Sequence, residues 1–334
     1  MSIPLTRCLL VALGLTLGGA AALGTATGET GDGDVGALGA EVRALRARVE
    51  ALEERLAAVQ SAVHVADLPE TIEFAGQPVP LDRWDVAERL ERELLLSLGN
   101  RGQVILWLKR SARYFPYIEG ELARAGLPDD LKYVAVIESS LLPTAYSSAS
   151  ALGIWQFIAG TARRYGLGVT PAWDDRRDPE RSTAAALAYL RDLYAQFRDW
   201  PLALAGYNAG EARVEQALRR QRVSTYYQLA LPVETERYVF RALAAKLVLA
   251  EPERYGFQVP PERRYQPREA HVVEIQVRDR LAVVDLARTS SSFFRELKEL
   301  NPQIVDDHLP RGRYRVRVPN GPPTSLATAS VRAR

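Results

Sequence analysis

The sequence predicts a mainly α-helical protein that closes on a small α/β module, and three patterns carry that reading. Residues 35–63 repeat apolar side chains at alternating spacings of three and four. From Asp82 to Ala250 apolar residues recur at helical spacing between short punctuators, with no strand-like alternation. Residues 271–319 read strand, helix, helix, strand. With 334 residues, 47% hydrophobic and 25% charged, the chain has material for about two globular domains. A net charge of +2, with arginines spread along helix faces, excludes nucleic acid as an expected partner.

At the start, Arg7 precedes an apolar run from Cys8 to Leu23 that ends in small residues, so residues 1–26 read as a signal peptide or an N-terminal anchor. Cleavage and export to the periplasm fit this pattern; an uncleaved segment would give membrane attachment. The only cysteine, Cys8, precedes the apolar core, which argues against a lipoprotein site and leaves the mature chain without thiol chemistry. After a Gly/Thr/Asp-rich linker, Val35, Leu38, Val42, Leu45, Val49, Leu52, Leu56, Val59 and Val63 form a heptad. Valine at a and leucine at d favour two parallel strands, and Glu41 with Arg46, and Arg48 with Glu53, are attractive g–e pairs. A homodimer through residues 35–63 is expected; a lone amphipathic helix packed on its own chain is the alternative.

In the helical region, Gly99-Asn100, Gly126-Leu127-Pro128 and Gly166-Leu167-Gly168 separate the helices, and Asp178-Pro179 is a helix start with Asp178 as N-cap. Asp174, Asp175 and Asp178 are therefore expected as caps and partners of Arg176 and Arg177. Leu131, Val134 and Ala135 form a helical stripe whose next position, i+7, is Glu138. A carboxylate desolvated there, near the negative end of its helix, should have a raised pKa and suit general acid catalysis. The plain alternative is a buried acid paired with arginine. Beyond it, Gly153-Ile154-Trp155-Gln156 and Gly206-Tyr207-Asn208 add an aromatic platform, an amide and a Tyr-Asn pair on separate segments, as an elongated polar ligand such as a sugar chain would require.

Glu138-Ser139, Gly153-Ile154-Trp155-Gln156 and Tyr207-Asn208, in this order, resemble the signatures of lytic transglycosylases with a lysozyme-like catalytic domain. Gly126 to Ser139, Trp173 to Pro179 and Leu231 to Val239 are similar to the membrane-bound lytic murein transglycosylase D type. The resemblance implies a lysozyme-like all-helical catalytic domain over 82–250, with no cofactor and no metal, acting on peptidoglycan glycan strands. It implies cleavage of the MurNAc-β-1,4-GlcNAc bond, with Glu138 as catalytic acid and then base and a 1,6-anhydro ring as product. Tyr207 would hydrogen-bond Glu138, while Ser139, Gln156 and Asn208 would contact substrate or the surroundings of the acid. A hydrolytic glycosidase normally needs a second acid, and none lies inside these motifs with a better claim than cap or surface residue. A hydrolytic muramidase and a non-catalytic peptidoglycan-binding scaffold are the alternatives.

The sequence departs from the family at Gly206, where Ala is common, and at Ser150, where a left-handed loop position usually holds Gly or Asn. Residues 251–267, rich in Pro, Arg and Tyr, read as a linker. Segment 271–319 resembles a LysM module, with helices over 281–288 and 293–300 and a closing strand over 314–318. Arg278-Asp279-Arg280 replaces that family's usual Gly-Asp-Thr, so a degenerate, packing module is the competing reading. Residues 320–334 read as a disordered tail.

Overall fold

Apolar stripes set the element boundaries in the computed structural model, which describes residues 32–61, 67–319 and 330–331. Residues 1–26, expected to be a signal peptide or anchor, lie outside the described residues. Helix α1, Asp32–Ser61, spans the heptad as far as Ser61. Its stripe is open to solvent: Val42, Leu45, Val49 and Leu52 are 44%, 55%, 48% and 56% exposed. No described helix is long and apolar enough to cross a membrane.

The second unit begins earlier than expected. Strands β1, Glu73–Phe74, and β2, Gln77–Pro78, form a short antiparallel hairpin. Ile72, Phe74 and Val79 join the same core as the helices that follow, so the packed body starts before Asp82. Those helices are α2, Trp84–Gly99; α3, Arg101–Ala125; α4, Lys132–Ser139; α5, Ala159–Arg164; α6, Pro179–Phe197; α7, Trp200–Ala209; α8, Glu211–Gln221; and α9, Val233–Ala250. Helix α9 buries most of its circumference, including Tyr238, Val239, Phe240 and Ala242 to Ala245. It packs against α2, α4 and α7. Each fully buried large side chain there contributes about 1.5–3 kcal/mol, and the arrangement presses α9 against the short helix that carries Glu138.

The segment read as a linker is a packed strap. Tyr255 and Phe257 are buried in the helical core, Tyr265 N–H donates to the Lys109 carbonyl at 2.9 Å, and Arg101 reaches the Gly256 carbonyl. Its Pro/Arg composition conceals two aromatic anchors.

In the C-terminal module β3, His271–Val277, pairs antiparallel with β6, Gly312–Val318, in a register from His271 opposite Val318 to Val277 opposite Gly312. Alternation then buries Val273, Ile275, Val277, Val316 and Val318 over helices α10, Val283–Thr289, and α11, Phe294–Leu300. The first helix starts two residues later than expected because β4, Leu281–Ala282, pairs with β5, His308–Leu309. In the tail expected to be disordered, β7, Ser330–Val331, pairs parallel with β3.

The module is fastened to the helical body. Asp174 N–H donates to the Gln303 carbonyl and Val305 N–H to the Ala172 carbonyl, both at 2.9 Å. Trp173 and Tyr314 rings meet at 5.0 Å, and Arg317 pairs with Asp178 at 3.1 Å and Glu180 at 2.8 Å.

Candidate active site around Glu138

Helix α4 is buried from Lys132 to Ile137, and partly buried Glu138 sits in its last turn. The helix ends before Pro143, at two consecutive left-handed residues, Ser140 (φ 56°) and Leu141 (φ 59°). Such conformations cost energy for non-glycine residues and need support from their surroundings. Ser140 has it: Gln103 and the Trp107 indole donate to its hydroxyl at 2.6 and 3.0 Å, and Arg110 donates to its carbonyl at 3.0 Å. The helix end that presents Glu138 is therefore held by three successive turns of α3.

Glu138 meets α9. The Tyr238 hydroxyl donates to Oε1, and Arg241, one turn on, donates to the Ile137 carbonyl at 2.7 Å. Burial raises the Glu138 pKa from 4.5 to about 7; the Tyr238 bond and the Arg241 charge oppose the rise, while Glu234 adds to it. Desolvation dominates, so the carboxyl exchanges its proton near neutrality. That is the working range of a group that donates and then accepts a proton.

The other expected residues converge on the same region with different partners. The Ser139 hydroxyl lies 2.9 Å from the Ile154 carbonyl and ties α4 to the Gly153–Gln156 turn. Gln156, itself left-handed at φ 50°, donates to the Gly153 and Ala145 carbonyls at 2.8 and 3.0 Å. A Cβ at Gly153 would lie 1.8 Å from the Arg176 carbonyl oxygen, so only glycine fits this turn. Asn208 accepts from Thr235 at 2.8 Å and approaches Glu234 at 3.4 Å, linking α7 to the start of α9.

Tyr207 does not hydrogen-bond Glu138. Its hydroxyl donates to the Trp155 carbonyl at 2.7 Å, and burial, followed by the Glu138 charge, pushes its pKa well above the ordinary value. Tyr238 makes the bond expected of Tyr207. Trp155 is no sugar platform: it is fully buried and its indole donates to Thr183 at 2.9 Å. An aromatic beside glycine satisfies a core as readily as a ligand.

Asp174, Asp175 and Asp178 act as caps and ion-pair partners. Asp174 accepts from Arg176 N–H at 3.1 Å and pairs with its guanidinium at 2.7 Å, Asp175 pairs with Arg181, and Asp178 caps α6 while binding Arg317. Arg176 also donates to the Ser150 and Phe157 carbonyls at 3.0 and 3.1 Å. This grip explains how Ser150 is held at φ 61° without glycine. Arg177, expected to share these carboxylates, does not. A Cβ at Gly206 would lie 3.0 Å from Phe197 and 3.1 Å from Leu193, so glycine here lets α7 lie closely against α6.

Sequence reasoning missed Tyr238. The available signal was the one that revealed Glu138, a polar group in a buried helical stripe, here running through Thr235, Tyr238, Val239 and Ala242.

Residues 116–229 match the Transglycosylase SLT domain family. Membrane-bound lytic murein transglycosylase D of Escherichia coli strain K12 is 39% identical over 178 residues, which cover 52% of this chain and 39% of the relative. Membrane-bound lytic murein transglycosylase F of Maricaulis maris is 37% identical over 90 residues, covering 25% of this chain and 18% of that protein. The chain thus spans about two fifths of the length of the first of these relatives. Among solved structures, the 70 kDa soluble lytic transglycosylase of Escherichia coli aligns with 66% of this chain and 46% of its own, at 18% identity and a TM-score of 0.39, an overlay too loose to add to the sequence match. Residues 116–229 thus belong to the Transglycosylase SLT domain family, and Glu138, Ser139, Gln156, Tyr207 and Asn208 lie within that match, while Tyr238 lies beyond it.

Proposed function

We propose that this chain is a peptidoglycan lytic transglycosylase that cleaves the MurNAc-β-1,4-GlcNAc bond without water. The observation that carries the reading is Glu138, half withdrawn from solvent, with a pKa near 7 and a tyrosine hydroxyl on one oxygen. In the first step the protonated carboxyl gives its proton to the glycosidic oxygen as the C1–O bond breaks. The carboxylate then takes the proton of the muramoyl C6 hydroxyl while O6 bonds to C1. One group serves both steps, so no second acid is required. Tyr238 orients the carboxyl; Ser139, Gln156, Tyr207 and Asn208 act by shaping the loop and helix ends around it.

Hydrolysis is the second reading, and one observation favours it: Glu234, exposed at the start of α9, is close enough for its charge to raise the Glu138 pKa. Glu234 is the acid that would activate water, because Asp174 and Asp175 are buried in ion pairs and Glu211 is engaged by Arg164 and Tyr189.

The chain is exported to the periplasm by residues 1–26, cleaved or kept as an anchor, and dimerises through the open apolar stripe of α1. Residues 271–319 are a degenerate LysM-like module serving the helical body as a brace. The experiment is Glu138→Gln, assayed on purified sacculi: binding should persist while solubilisation falls by several orders of magnitude, because an amide cannot donate the proton. Activity within about tenfold of the parent would remove Glu138 from its role.

A further inference from the structure

Between α3, the Leu142–Thr144 segment that follows the Glu138 helix, and the α11 face of the C-terminal module lies a cavity of about 640 Å³. Tyr114, Tyr117 and Phe294 give it apolar walls, while six arginine and lysine side chains line it against two glutamates. Five of these cations are already engaged: Arg317 by Asp178 and Glu180, Arg268 and Arg295 by Glu299, Lys298 by the Val305 carbonyl and Arg113 by the Gln266 carbonyl. Arg177 is not. Its Nε is shut off from solvent with no hydrogen-bond partner, and its guanidinium has no ion pair among the described residues. The reason lies in the turn it belongs to: Asp174 is taken by Arg176, Asp175 by Arg181 and Asp178 by Arg317. A partly buried guanidinium left without an acceptor is costly unless something else supplies one.

We propose that this cavity binds the carboxylate-bearing stem peptide of the glycan substrate, with Arg177 as the carboxylate's partner. The inference rests on the peptidoglycan reading above, because the glycan's N-acetyl groups are neutral and the charge of each repeat sits on the peptide hung from its muramoyl unit. Charge complementarity selects the ligand: the cavity offers cations in excess, one of them unpaired, beside aromatic walls that accept short aliphatic side chains. Position agrees, since Leu142, Pro143 and Thr144 line the cavity and continue directly from the end of α4. The module then completes the peptide site with Phe294 and Lys298.

Calorimetric titration of the intact chain tests this with the soluble stem tetrapeptide, its carboxylates free, against the same peptide fully amidated. Each change removes a charge-assisted hydrogen bond, so amidation, and separately Arg177→Gln, should each weaken binding by about tenfold or more. Equal binding of free and amidated peptide, or of free peptide to parent and to a folded Arg177→Gln chain, overturns the proposal. The readout needs no cleavage, so the two claims fail separately. Carboxylate-dependent binding by a chain that cleaves nothing would sink the enzyme reading alone. Cleavage without such binding would sink this site alone.

Discussion

Replacing Tyr238 with phenylalanine removes a single oxygen from the buried site and asks what holds the Glu138 proton. The tyrosine hydroxyl donates to the carboxylate and so favours the ionised form, against a burial effect that has carried the pKa to about 7. A hydrogen bond to a charged group is worth about 1.5–3 kcal/mol, and one pH unit corresponds to about 1.4 kcal/mol. Losing the bond should raise the pKa by roughly one to two pH units. The first step needs the protonated acid, so activity is lost as pH rises through this pKa, and in Tyr238→Phe that falling limb should move upward by the same amount. The limiting rate should drop about ten- to a hundredfold, because the carboxyl is no longer aimed. Tyr207→Phe is the control. Its hydroxyl serves the Trp155 carbonyl, so its loss should lower the rate through the loop and leave the limb in place. Initial rates of sacculus solubilisation from about pH 5 to about pH 9 read both effects. An unmoved limb in Tyr238→Phe, or an equal movement in Tyr207→Phe, would refute the reasoning.

The same carboxyl should cost stability, and only at higher pH. Its folded pKa, about 7, lies above the ordinary value of 4.5, so the folded state holds the proton more tightly and stability falls as pH rises between the two. Above both values the cost reaches about 3 kcal/mol. Glu138→Gln should therefore be more stable than the parent by about that amount near pH 8 and by little near pH 4; equal differences in denaturant midpoint at both pH values would contradict this. Deleting residues 35–63 should convert a dimer into a monomer that still cleaves, as read by light scattering. A monomeric mass for the intact mature chain at about micromolar concentration would end the coiled-coil account.

Much of this arrangement was legible because it rests on periodicity. The stripe Leu131, Val134 and Ala135 placed Glu138 on a buried face, Asp178-Pro179 announced the start of α6, and alternation along 271–277 gave β3 its full length. Partner choice was not legible, because packing decides it. Tyr238 lies a hundred residues from Glu138 and reaches it only because α9 lies across α4. Tyr207 is spent on a backbone carbonyl that no motif reveals. Tyr255 and Phe257 were hidden by the prolines around them. Three aspartates beside two arginines suggested local pairing, but Arg181 and the module's Arg317 took two of the acids and left Arg177 with none.

The most direct test of the central claim is to digest peptidoglycan in water enriched in heavy oxygen and weigh the soluble fragments. If the C6 hydroxyl is the nucleophile, no solvent oxygen enters, the muramoyl ends carry 1,6-anhydro rings, and each fragment is lighter by one water than its hydrolytic counterpart. Muramoyl products that are mainly reducing and carry the heavy oxygen at the anomeric carbon would contradict the account, and would make Glu234 the acid to test next.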